Sequence, residues 1–362
     1  MDCRFEEGPE SLAQTPAFHL LTHESVPADQ KTEVHDHPEL LSLFEQIADL
    51  FRESVPHGVA VIPGGGSYNT CEALWACGVS AYPVAEISDD RWGQLAHGLI
   101  AQHPAAPQYV RRRDGSWTTV SFWHKGTGLV NRKIGLAANA PPPPPLDFSA
   151  VQENPDMLMV AASMSDLPTN LKNMRARWED SAIVLLGSSA TKGWTRAFLR
   201  QILPQIHVLR MNRIELLDLL KTNDLIPLSA HADTDLSRII QGAQDLAALL
   251  PAGGLLVATG GAGQTLMVAQ NGAWGLLPPP PVIENPHTRG AGDTSNAWFY
   301  TLGHRKGMDF RNLGNRLEDA LELECAVSLA MLDFVRGHPI EPQQGNFYLE
   351  RAPEMVKRVR VS

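Results

Sequence analysis

No stretch of the chain runs apolar for the roughly 20 positions that a helix needs to cross a bilayer. The opening residues, Met1-Asp2-Cys3-Arg4-Phe5-Glu6-Glu7, also lack the basic start and apolar run of a secretory leader. Membrane contact is therefore not expected, and the protein reads as cytoplasmic. Cysteine is scarce: Cys3, Cys71, Cys77 and Cys325 lie without the close pairs that bind zinc, so free thiols in a reducing compartment are the simplest account. Positive charge is in short supply too. With 30 Lys and Arg against 40 Asp and Glu the net charge is −10, which argues against a nucleic-acid partner, because a phosphate-tracking surface must be basic. The run Arg111-Arg112-Arg113 is too short to reverse that. His35-Asp36-His37 has no further metal ligands nearby, and Asp36 suits the cap of the helical pattern that follows.

What is present is an ordinary globular composition, 43% apolar and 19% charged over 362 residues, enough for one large α/β domain or two modest ones. Residues 1–17 are polar and read as a poorly ordered lead-in, followed by a short strand at Phe18–Thr22 and an amphipathic helix over 38–54. Val59–Ile62 reads as a strand, and a helix follows whose apolar positions Ala73, Leu74 and Cys77 end at Gly78. Asp114-Gly115 joins two alternating, β-prone runs within Tyr109–Trp123, which predicts a hairpin. Pro141–Pro145 must be extended and reads as a spacer. Beyond it, strands at Leu158–Ala162, Ile183–Gly187, Ile206–Arg210 and Leu255–Thr259 alternate with helices near 170–178, 194–203 and 235–250, the pattern of a parallel sheet covered on both faces. Helical spacing returns at Ala297–Leu302 and over Leu317–Val335, and 341–362 reads as a polar tail.

Several stretches carry residues suited to chemistry. Gly290-Ala291-Gly292-Asp293 precedes an apolar helical pattern; its glycines let consecutive N–H groups aim at one anion, beside a carboxylate able to take a proton. A plain turn with Asp293 as its cap is the alternative. Gly64-Gly65-Gly66 and Asn69 sit between a strand and a helix, where a polyhydroxylated ligand would find close backbone and paired polar groups. Asn212 and Glu215 would share one face of a helical turn, either as oxygen donors for Mg²⁺ or as a cap and a surface acid. Thr259, Gly261 and Gly263 form a turn that would let phosphates approach the backbone, or a simple hairpin turn.

In their order and spacing these stretches resemble the signatures of the ribokinase (PfkB) family of sugar and nucleoside kinases. Members carry Asp-Thr-x-Gly-Ala-Gly-Asp before a helix, a Gly-Gly-x-x-x-Asn run nearer the N-terminus with a later Asp-x-x-Gly (here Asp90 and Gly93), and an Asn-x-x-Glu motif. The resemblance covers most of residues 59–337. It implies a ribokinase-like three-layer α/β/α fold with a mostly parallel central sheet and a small β-sheet lid, the domain spanning 18–340 and the lid strands falling near 59–63 and 108–124. It also implies ATP and Mg²⁺ as cofactors, a sugar or nucleoside as substrate, and a lid that in some members is a homodimer interface. By the same resemblance Asp293 is the base, Gly290, Ala291 and Gly292 complete the anion hole, and Gly64, Gly65, Asn69 and Asp29 bind substrate. Thr259, Gly261 and Gly263 border the nucleotide, and Asn212 with Glu215 organises the metal. A vitamin-like alcohol kinase and a catalytically weak binding relative are the alternatives. The chain departs from the pattern at His287, Ser295 and Trp298, where the family favours Asp, Phe and Gly. The helix after Asp293 must therefore pack differently.

Overall fold

Many of the strands and helices emerge where the apolar spacing asks for them, but their pairing is decided at long range. The computed structural model describes residues 2–5, 31–33, 45–46, 48–49, 51–53, 59–62, 65–102, 110–113, 119–124, 130–135, 145–149, 151–164, 166–229, 235–261, 263–283, 290–356 and 360–361. Contacts divide the chain into two compact units, residues 1–69 with 81–142 and residues 70–80 with 143–362. Among the described residues no helix is long and apolar enough to cross a membrane.

The first unit contains β1 (Asp2–Phe5), β2 (Lys31–Glu33) and β3 (Val59–Ile62), then the start of α1 (Gly66–Ala76). β4 (Ala85–Ser88), α2 (Arg91–Ile100), β5 (Val110–Arg113), β6 (Thr119–His124) and β7 (Val130–Gly135) follow. A five-stranded sheet runs in the order β2-β7-β6-β1-β3, and β4 pairs with β5 in a separate parallel ribbon. The hairpin expected at Asp114-Gly115 does not form: β6 pairs with β7 and β1, while β5 belongs to the ribbon. The Asp-Gly turn signal is local, whereas β5 finds its partner across a helix. Only part of the expected lid thus shares one sheet, namely β3 and β6. Asp2–Phe5 is a strand inserted between β6 and β3 rather than part of a loose lead-in. Phe18–Thr22, Asp29, His35-Asp36-His37, Gly64 and residues 141–144 lie outside the described residues. The pattern over 38–54 is helical where it is described, with Phe51 packed edge-on to Trp92 of α2 at 6.5 Å. Asp90 caps α2 by accepting the Gly93 N–H at 2.7 Å, and a Cβ on Gly93 would come 1.7 Å from the Ser88 carbonyl oxygen. Asp90-x-x-Gly93 is thus first a cap and a close helix-strand approach.

The second unit is built on β8 (Met157–Ala161), β9 (Ala182–Leu186), β10 (Val208–Asn212), β11 (Leu255–Thr259), β12 (Thr265–Ala269), β13 (Trp274–Leu277) and β14 (Arg360–Val361). These form a mixed sheet in the order β14-β13-β12-β11-β10-β9-β8, with β8 to β11 mutually parallel and β12 to β14 antiparallel. Its helices are α3 (Leu167–Arg177), α4 (Arg196–Ile202), α5 (Arg213–Thr222), α6 (Leu236–Ala247), α7 (Ala291–Arg305), α8 (Leu317–Val335) and α9 (Gly345–Val356). Every residue of β9 is buried, which requires cover on both faces. Ala182, Val184 and Leu186 join Val208, Leu255 and Val257 in one core with Trp298, Phe299 and Leu302 of α7, Leu321 of α8 and Tyr348 of α9. The alternate residues Leu209, Met211, Leu256 and Ala258 are buried on the other side, where α5 and α6 pack. The segment beyond 341 is therefore largely a packed helix and an edge strand, not a tail: Tyr348 and Ala352 enter the core and β14 pairs with β13.

His207, only 7% exposed, sits just before β10. Its Nδ1 accepts the Ile183 N–H at 2.9 Å, and Nη2 of Arg175 stands 3.0 Å from its Nε2. Burial, then the charges of Arg175 and Arg311, push its pKa down to about 4, with Asp309 opposing. The unfolded chain, whose histidine titrates near 6.5, therefore binds the extra proton first. Stability from this group should be complete above about pH 6.5 and decline by roughly 2–3 kcal/mol as pH falls towards 4. Urea unfolding across that range checks this; His207→Asn, which keeps an acceptor without the titration, should flatten the profile.

Candidate active site

Because β8 to β11 are parallel, their carboxyl ends share one edge, and ligands of such sheets gather there. Register places Asn212 opposite Thr259, and the Gly187 N–H donates to the Arg210 carbonyl at 2.7 Å. Asn212 and Glu215 form a capping box at the start of α5. The Asn212 side chain accepts the Glu215 N–H at 2.9 Å, and Glu215 Oε2 accepts the Asn212 N–H at 2.9 Å. The cap alternative is thus realised, leaving Oε1 for another role. Burial raises the Glu215 pKa, partly offset by the bond from Asn212. A Cβ on Gly187 would come 2.5 Å from Glu215 Oε2, so glycine there is what admits the carboxylate to the strand edge.

Thr259 ends β11 and its hydroxyl donates to the Met211 carbonyl at 3.3 Å. In the turn that follows, Gly261 adopts φ +57° and the Gly263 N–H closes onto the Gly260 carbonyl at 2.7 Å. The tightest demand falls on Gly260, which the sequence reading passed over: a Cβ there would come 2.3 Å from the Gln264 carbonyl oxygen. The paired glycines 260 and 261 were the available signal. The Arg213 guanidinium lies beside this turn, 3.6 Å from where a Gly263 Cβ would be.

α7 begins with Gly290 in the left-handed region at φ +69°, and no side chain caps it. The first helical bond is Thr294 N–H to the Gly290 carbonyl at 2.8 Å, so the N–H groups of Ala291, Gly292 and Asp293 lie ahead of it at the positive end of a four-turn helix. Among the described residues, ideal Cβ atoms on Gly290 and Gly292 would meet nothing within 4 Å. Asp293 is half-buried in this first turn and accepts a long hydrogen bond, 3.4 Å, from the hydroxyl of buried Thr70 in α1. Asn69, the residue before Thr70, lies in the first turn of α1, its N–H bonded to the carbonyl of Gly65, whose φ is +99°. Gly64, Asp29 and residues 284–289, with His287 among them, lie outside the described residues.

One group of residues was missed altogether. Arg210, the charged residue in β10, is 2% exposed and forms a two-pronged pair with equally buried Glu324 of α8, at 2.6 and 3.2 Å. It also donates to Asn296 Oδ1 at 2.9 Å and Ser295 Oγ at 2.7 Å, and its guanidinium lies 4.6 Å from the Phe299 ring. Ser295, a departure from the family signature, thus has a partner. A charge inside an apolar strand and another inside an apolar helix were the signals available. Among the described residues no group of three His, Cys, Asp or Glu side chains forms a metal cage. Glu215, whose Oε2 is engaged in the capping box, is the carboxylate at this strand edge.

No family model and no curated protein sequence matches the chain. Solved structures do. Ribokinase from Thermotoga maritima is 15% identical and aligns over 96% of each chain with a TM-score of 0.59. Ribokinase from Arabidopsis thaliana, solved with ribose and ATP, is 16% identical over 82% of this chain and 91% of that one, also at 0.59. A nucleoside kinase of the ribokinase family from Methanocaldococcus jannaschii is 16% identical over 82% and 89%, at 0.51. The fold is that of the ribokinase-like α/β proteins, a mixed sheet between helical layers with an accompanying β-sheet.

Gly187→Ala should crowd Glu215 and Met211 and lower stability by about 1–3 kcal/mol in urea unfolding. Gly290→Ala meets no atoms among the described residues, so its left-handed backbone should set the cost, at about 1–2 kcal/mol.

Proposed function

We propose that the protein is a kinase that transfers the γ-phosphoryl group of ATP to a hydroxyl of a small sugar-like substrate. The observation that carries this reading is Asp293 in the first turn of α7, beside N–H groups that precede the helix's first internal bond. Asp293 takes the proton of the attacking hydroxyl, and the N–H groups of Gly290, Ala291, Gly292 and Asp293 hold the charge on the moving phosphoryl oxygens. Thr259, Gly261 and Gly263 border the nucleotide, since a turn without side chains admits phosphates to the backbone. Gly65, Asn69, Gly64 and Asp29 are the proposed substrate contacts. Mg²⁺, held through its waters by Glu215 with Asn212 orienting that carboxylate, would neutralise phosphate charge when bound. Further support comes from the neighbours solved with ribose and ATP and with ADP. Likeness to a nucleoside kinase keeps a nucleoside as the second substrate class.

Phosphate transfer from ATP to a panel of sugars and nucleosides should reveal one preferred acceptor. Asp293→Asn should lower kcat about 10²–10⁴-fold while the Kd for ATP changes little. Retained turnover in that variant excludes the role given to Asp293, and ligand-dependent stabilisation without transfer by the wild type favours a binding protein.

A further inference from the structure

Building on the kinase reading, we infer that Arg210 is a positioning residue: it fixes the tilt and register of the first turns of α7, and so the aim of the anion hole, against the end of β10 that carries Asn212. A cap would normally do this locally, but α7 starts on a glycine with no side-chain cap. The apolar contacts of Trp298 and Phe299 hold the helix against the sheet. Such contacts are non-directional and permit small slides. Arg210 supplies direction. Its rigid planar fork points Nε at Asn296 and Nη2 at Ser295, the two residues next to Thr294 in the turn after Asp293. Glu324 binds both Nη atoms from α8 and fixes the plane of the fork. Three of the four partners of the guanidinium, Ser295, Asn296 and Phe299, lie on α7.

Stability alone is a weak reason for such a group. A buried ion pair loses so much hydration that well-packed apolar residues of similar size often do as well or better. What apolar residues cannot supply is a fixed angle. Ser295 stands where the family signature favours Phe; with Arg210 opposite, a small hydroxyl leaves room for the guanidinium and accepts its bond.

The test uses the full chain with two variants, the apolar double replacement Arg210→Met with Glu324→Leu, and Ser295→Ala, which leaves the ion pair in place. Three quantities are read: thermal midpoint, amide hydrogen exchange of the segment 291–296, and kcat with KM for ATP. The double variant should melt no lower than the wild type, yet exchange at 291–296 should rise about tenfold and kcat should fall about 10- to 100-fold with KM nearly unchanged. Ser295→Ala should move the same way by less, and Ser295→Thr, which keeps the hydroxyl, should recover most of the loss. If the double variant does not fold, the Ser295 pair carries the test. Unchanged exchange overturns the assignment, as does looser exchange with unchanged kcat. If the wild type transfers no phosphate at all, the kinase reading fails by itself, and the exchange data still judge whether Arg210 holds α7.

Discussion

Parallel pairing forces the carboxyl ends of β8 to β11 to one edge, and the chemistry available to the second unit follows from that constraint. Each loop leaving that edge meets its neighbours without any need for sequence proximity. Gly187 makes room for Glu215, Asn212 pairs in register with Thr259, and the Thr259 hydroxyl ties back to Met211. Were β11 antiparallel to β10, the glycine turn at 260–264 would lie at the far end of the sheet from Glu215.

A helix terminus becomes useful only when something decides where it points. For α7 the sheet supplies burial and Arg210 supplies direction, a division of labour between a large non-specific force and a few specific bonds. Thr70 adds a contact of a different kind, a long bond from α1 to the carboxylate itself. Asp293 is half-buried at a helix start without a side-chain cap, whereas Arg210, which bonds to that helix, is buried.

The helix Leu317–Val335 and the strand Leu255–Thr259 were readable to the residue, and β8, β9 and β10 to within two, because burial on one or both faces imposes a strong apolar period; β13 and β14 were not read as strands. The glycine turns were readable for a different reason: few residues tolerate their backbone. Partners far apart in the chain were not legible. Nothing in the Asp114-Gly115 signal reveals that β5 prefers β4, and nothing near Arg210 points to Glu324, 114 residues away. The Asn212 and Glu215 pair was ambiguous for an intrinsic reason, since a capping box and a pair of oxygen donors use the same spacing.

The pairing of β14 with β13 has a practical side. β13 would otherwise present unpaired backbone at the rim of the sheet, the kind of template on which a second chain can add itself. A strand of only two residues, Arg360 and Val361, acts as a selvedge that keeps the fabric from being extended by its neighbours.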